Sequence, residues 1–355
     1  MLSVDAASRF LKENRLYVIM LAVIVVFEVF MVFFPAKVER SAGKDKKVHR
    51  ILTPEEAAER EARIKDLLST NKPLAFALSG STFACSIALM AGLVMLVRRV
   101  ARKLNGFDIM PSIGVPPDVS WGIVDIFRIA VIFYFFGYLV QAIELGAATA
   151  AGIKHLDEKL FTVMNATLMD VIGLMIVLYF VLKKYGRKLS SLGLKAGNIA
   201  RDIKIGLSGY LMLIPIIVVI MVFVLLGLRI FNYEPPETRA LEMLYETDRP
   251  KLLFILTGLV TLLGPVMEEL FFRGFAYPVV RKKMGARNAI ILVSLVFSLL
   301  HLNIVSFFPI LALGILLAYL YEKTGSIIPC IAVHIVHNTT VVFFVFLYRL
   351  IAVPG

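Results

Sequence analysis

An all-α, polytopic transmembrane bundle of about nine spans is the fold this sequence predicts, and three observations carry it. Of the 355 residues, 59% are hydrophobic, more than the roughly half expected of a soluble domain. The apolar residues gather in runs near the ~20 that a helix needs to cross a bilayer core of ~30 Å. Basic residues collect at the ends of those runs, as the positive-inside rule requires. That placement also accounts for the formal charge of +12, so no nucleic-acid partner is read from it. Cys85 and Cys330 both lie in apolar runs, which implies no disulfide framework.

The spans read in order as 16–34, 74–97, 122–147, 161–182, 206–228, 252–280, 288–302, 305–321 and 327–349. The first is expected to be an uncleaved anchor, because Glu28 lies within it and no small-x-small site follows. A break at His301-Leu302-Asn303 divides the seventh span from the eighth. Four regions follow: an anchor at 1–35, an extramembrane loop at 36–72, transmembrane helices with a basic loop at 73–204, and a site-bearing domain at 205–351. Within the loop, Thr53-Pro54-Glu55-Glu56 has the form of a capping box with Pro at the first helical position. Its helix is either a surface-lying, weakly amphipathic one or a solvated connector.

Lys/Arg-rich loops after the second, fourth and sixth spans alternate with basic-poor ones, and this predicts a cytoplasmic N-terminus. The 36–72 loop is the exception. It falls outside yet holds ten Lys/Arg beside seven Asp/Glu.

Against this apolar background a few polar residues stand out. Glu268 and Glu269 are adjacent in the sixth span, and Arg273 follows Glu269 by one turn. Residues i and i+4 share a helix face whereas neighbours are ~100° apart. Glu269 is therefore expected to pair with Arg273 while Glu268 points elsewhere, so that two carboxylates meet different surroundings. Gly264-Pro265 removes a backbone hydrogen bond just upstream. The bland alternative is a salt-bridge knot that only holds helices together.

Phe297 and His301 lie one turn apart on the seventh span, as do His334 and Asn338 on the ninth. Most intramembrane histidines are interhelical hydrogen-bonders. Here the depths agree. At ~1.5 Å per residue, Glu268 and His301 are each about 20 Å from the cytoplasmic helix ends and His334 about 10 Å. Modest tilts bring them together. His337 is expected on another face, making an interhelical contact. Cys330 is read as a packed thiol rather than a nucleophile. No His-Glu-x-x-His and no Gly-x-Ser-x-Gly occurs. Asp125/Arg128, Glu144, Asp170 and Glu28 are read as interhelical pairs or span ends.

Taken in order, Glu268-Glu269-x-x-x-Arg273, Phe297-x-x-x-His301 and His334-x-x-x-Asn338 resemble the three signatures of the CAAX-protease and bacteriocin-processing (CPBP, or Abi) family, which includes the Ras-converting CAAX endopeptidase. The resemblance covers roughly 205–350, and Leu192-Gly193-Leu194 is in keeping with it. It implies an intramembrane endopeptidase for a membrane-tethered or membrane-inserted substrate, either of CAAX type or a leader or regulatory peptide. Glu268 with His301 would activate water, and His334 with Asn338 would steady the oxyanion. Glu269, Arg273 and Phe297 would shape the site. Family members are often labelled metalloproteases, and His301, His334 and Glu268 would then be the zinc ligands. The expectation favoured here is a metal-free glutamate mechanism without a cofactor. A different class of reading is a non-hydrolytic membrane protein, either a proton-relay transporter or an idle peptide-binding regulator. Transporters tend to carry internal repeats, and none is visible here.

Overall fold

A computed structural model describes residues 4–33, 54–105, 110, 112–150, 157–233 and 239–352. Among the described residues there are helices and turns and no strand. The helices are α1 (Val4–Glu13), α2 (Arg15–Phe33), α3 (Pro54–Thr70), α4 (Lys72–Leu104), α5 (Ile123–Ala150), α6 (Glu158–Leu178) and α7 (Ile199–Ile230). They continue as α8 (Arg239–Glu246), α9 (Pro250–Gly258), α10 (Gly264–Glu269), α11 (Tyr277–Leu299), α12 (Ile304–Thr324) and α13 (Ile328–Ala352). Short π-helical turns, Leu259–Leu263 and Leu270–Ala276, flank α10.

Seven helical stretches among the described residues are long and apolar enough to cross a membrane. The protein is an integral, multi-pass membrane protein. One stretch, Pro250–Leu299, runs for 50 residues, more than twice the length a ~30 Å core accommodates. It contains the sixth and seventh predicted spans, and they meet at Gly285. There φ is 78° and ψ 166°, a backbone conformation open almost only to glycine. The helix α2 supplies a further apolar element of 19 residues. About nine passes therefore describe the fold. The capping box at Thr53 and the side chain of Glu28 lie outside the described residues.

The chain forms two compact units. The first contains α1, α2, α5 and α6. Its polar centre is Asp125, which is buried and fully satisfied. One oxygen accepts from Arg128 at 2.9 Å and Lys184 at 2.6 Å, the other from the Gly122 N–H at 3.0 Å and Tyr185 Oη at 2.5 Å. Burial, then the bond to Asp125, pushes the Tyr185 phenol up to about 12, so it remains a donor at neutral pH. Arg128 also donates to Asn14 at 2.9 Å. Asn165 donates to Glu144 at 2.7 Å. The sequence reading of these residues as interhelical pairs or span ends agrees: Asp125, at the start of α5, is met by Lys184 and Tyr185 after α6, and Glu144 by Asn165 of α6.

The second unit holds α3, α4 and everything from α7 onward. Asn71 caps α4 by accepting from the Leu74 N–H at 3.1 Å. The helix α7 packs against α4, α12 and α13. Gly92 of α4 lets the first of these contacts close, because a Cβ there would come within 2.0 Å of the Leu211 carbonyl oxygen. The core of this unit is Leu313, Leu317, Leu320 and Tyr321 of α12 with Phe297, Phe275, Tyr277 and Val333. It closes around Glu269 and Arg273, which are also completely buried.

Candidate active site

The predicted polar residues lie on three elements that the second unit packs together. Glu268 and Glu269 end α10, Phe297 lies in the last turn of α11 with His301 just beyond it, and His334 and Asn338 belong to α13. The chain from Leu259 to Ala276 alternates π, α and π turns, a pattern common at functional sites.

Pro265 explains part of this. In the first π turn the Gly264 N–H bonds to the Leu259 carbonyl, five residues back. The same register would give the Val260 carbonyl to residue 265, but proline has no N–H to offer. Asn338 supplies the missing donor, its Nδ2 lying 2.8 Å from the Val260 oxygen. The second Nδ2 hydrogen remains available, since an amide carries two.

Glu269 and Arg273 form the expected pair. Arg273 Nη1 donates to Glu269 Oε1 at 2.7 Å, and both side chains have no exposed surface. Arg273 Nη2 also donates to the Gly314 carbonyl at 3.2 Å. Its guanidinium stands 4.4 Å from the centre of the Phe297 ring, a desolvated cation–π contact.

The same Glu269 oxygen has a second partner, His334 Nδ1 at 2.8 Å. A carboxylate oxygen accepts, so Nδ1 carries the hydrogen and Nε2 is directed elsewhere. The nearest carboxylate to Nε2 is Glu268 Oε2, at 3.8 Å. That exceeds hydrogen-bond range, and Oε2 is a buried oxygen with no partner. The adjacent carboxylates thus differ as the sequence suggested. Glu269 is enclosed and paired; Glu268, with 29% of its side chain exposed, keeps an unengaged oxygen facing an imidazole.

His301 lies in the tight link after α11. Its Nδ1 donates to the Phe297 carbonyl at 2.8 Å, which leaves Nε2 as the outward-facing nitrogen. The link is fixed on both sides: Ser298 donates to the Phe307 carbonyl at 2.5 Å. Asn303 caps α12 by accepting from Val305 and Ser306 at 2.9 and 3.0 Å. Both imidazoles pack edge-on against Phe297, with ring centres 4.9 Å away for His301 and 5.8 Å for His334.

The remaining candidates fall as follows. His337 meets Tyr210 of α7, Nδ1 to Oη 3.1 Å, the interhelical contact expected of it. Cys330 is buried and donates to the Leu317 carbonyl at 3.2 Å. Leu192 is fully buried, and the Gly193 carbonyl accepts from the Ile327 N–H at 3.1 Å. Among the described residues, no three His, Cys, Asp or Glu side chains group as a metal site. Nδ1 of His301 and of His334 each hold a protein acceptor, which leaves both Nε2 atoms unengaged, the arrangement a metal-ligating histidine also shows. No step below passes through a metal.

Residues 250–340 match the family described as type II CAAX prenyl endopeptidase, Rce1-like. This segment of the chain is similar to CAAX prenyl endopeptidases of that description. The match spans α9 to the first half of α13 and includes every residue of the three signatures. No curated protein and no solved structure is similar enough to add to it.

Proposed function

We propose that this protein is an intramembrane endopeptidase of the CAAX type in which Glu268 activates the attacking water. The observation that carries the reading is the contrast between the two adjacent carboxylates. Oε2 of each carboxylate is buried without a partner, but Glu269 is wholly buried with its Oε1 held by Arg273 and His334, whereas Glu268 is 29% exposed and turns Oε2 to 3.8 Å from His334 Nε2. A carboxylate oxygen not held by a fixed donor is free to accept a proton from water in reach of it.

The steps balance as follows. Glu268 takes one proton from water as its oxygen bonds to the scissile carbonyl carbon. His301 Nε2 accepts the other water hydrogen and sets the angle of attack. The developing oxyanion receives a hydrogen bond from the second Nδ2 hydrogen of Asn338. His334 donates to it from Nε2 when that nitrogen carries a hydrogen, while Nδ1 keeps its bond to Glu269 at 2.8 Å. The C–N bond then breaks and the proton held by Glu268 passes to the leaving nitrogen. Donors aimed at an oxyanion count for most where water is excluded, and the apolar side here is Phe297, against which Phe272, His301 and His334 all pack.

Glu269 and Arg273 hold the arrangement and do not touch substrate in this scheme. The site-bearing domain is 205–351, backed by α4, and the N-terminus is assigned to the cytoplasm on the positive-inside rule. The substrate is a membrane-tethered or membrane-inserted peptide. Comparing membranes that express wild type or Glu268→Ala by mass spectrometry of new peptide termini tests the reading. Termini present only with wild type are expected; identical sets would overturn it.

A further inference from the structure

The chain reverses between α11 and α12 before it has crossed the bilayer. Phe297 packs on His334 with ring centres 5.8 Å apart, so the two residues stand at one depth. From Phe297 the reversal carries Leu302 only about 7 Å further out at helical rise. From His334, α13 continues to Ala352, about 27 Å beyond. The helical run holding Val260, which bonds Asn338 at 2.8 Å, begins at Pro250, about 15 Å outward of that bond. In the other direction Gly285, flanked by Lys283 and Arg287, precedes Phe297 by three turns, about 18 Å. The tip of the α11–α12 hairpin thus stands about 25 Å from that basic turn, beneath the far boundary of a ~30 Å core, while its neighbours rise past it.

Non-helical backbone at such depth is either enclosed by protein or in water. This link is not enclosed: Leu299 and Leu300 are each 52% exposed and Leu302 is 92% exposed. Its N–H groups are largely accounted for. Those of Leu300, His301 and Leu302 bond back to Val296, Ser298 and Leu299, and Asn303 Oδ1 takes those of Val305 and Ser306. The carbonyls are not. Among the described residues, no donor reaches the oxygens of Leu300, His301 or Leu302. Lipid tails over the tip would leave all three bare, and buried carbonyls are almost always paired. Leu302 also holds φ at 49°, an uncommon conformation for a bulky residue.

We propose that a water-filled recess lies over this link, open to the membrane face opposite the basic turn at Gly285. Its water bonds the three carbonyls. His301 belongs to the link, so the same water bathes a residue of the candidate site. That Glu268 draws its water from here rests on the peptidase reading; the recess itself does not.

The test uses the full chain in vesicles with Cys85→Ser, which leaves the buried Cys330 as the native thiol. One cysteine is then added at a time, by Leu302→Cys, Phe344→Cys or Lys283→Cys, and a membrane-impermeant maleimide is offered on each face. Phe344 is an exposed residue of α13 that lies about 15 Å outward of His334, further out than Leu302. The Leu302→Cys variant is expected to react from the face opposite that of Lys283→Cys, at least about tenfold faster than Phe344→Cys, because only a thiolate in water attacks. Ile304→Cys takes its place if Leu302→Cys fails to insert. Equal reaction at Phe344→Cys would overturn the recess, since the link would then simply reach the surface. No reaction at either link position, or reaction only from the Lys283 side, would overturn it as well.

Discussion

Truncating Arg273 should damage the fold more than the loss of a catalytic group would. Arg273 has no exposed surface. It donates to Glu269 at 2.7 Å and to the Gly314 carbonyl at 3.2 Å, and lies 4.4 Å from the Phe297 ring centre. Arg273→Ala strands the Glu269 charge in a dry site, which costs roughly 3–5 kcal/mol when one partner of a buried pair is removed. The lost cation–π contact adds up to about 2 kcal/mol, though such terms overlap. His334 still donates to Glu269, so a total near 4 kcal/mol is expected. The assay is thermal unfolding of the purified protein in detergent, read beside its yield from membranes. Glu269→Gln/Arg273→Met removes both charges at similar volume and should recover at least half of the lost stability, because no buried ion is left unpaired. A melting temperature for Arg273→Ala equal to that of wild type would refute the reasoning. A double variant as unstable as the single one would refute it too.

Asn338 has two separable duties. Asn338→Ala should lower turnover about 10²-fold through the lost oxyanion donor and cost roughly 1–3 kcal/mol through the orphaned Val260 carbonyl. Adding Pro265→Ala returns an N–H to that carbonyl, so unfolding temperature should recover while turnover does not; recovery of both would remove Asn338 from the chemistry. Activity is expected to survive strong chelators. Stoichiometric zinc whose removal abolishes activity and whose return restores it would sink the metal-free assignment.

Much of this was legible in the sequence because a bilayer makes intramembrane charge conspicuous. Glu268, Glu269, Arg273, His301, His334 and Asn338 interrupt runs that are otherwise apolar, and their four-residue spacings give helix faces directly. The Glu269–Arg273 pair could be read this way since its members are one turn apart. The Glu269–His334 contact could not, because it joins residues 65 positions apart and depends on how α13 lies against α10. The Asn338–Val260 bond was half visible. Pro265 announces that an upstream carbonyl will lack a donor, but which carbonyl depends on the π register, and nothing local encodes that. The partnership of His337 with Tyr210 is hidden for the same reason as His334's. The sixth and seventh predicted spans meet at Gly285, a turn that the hydropathy pattern left unplaced between 280 and 288.

The account rests on Glu268 as the group that takes the water's proton, and purified Glu268→Gln tests this most directly. The substitution keeps the side chain's shape and leaves the Glu269–Arg273–His334 cluster intact. The measurement is single-turnover cleavage of a membrane-reconstituted substrate found among the wild-type-dependent termini, with unfolding temperature recorded in parallel. The account predicts that the variant folds and binds the substrate as wild type does and leaves it uncut; cleavage at the wild-type rate would contradict it.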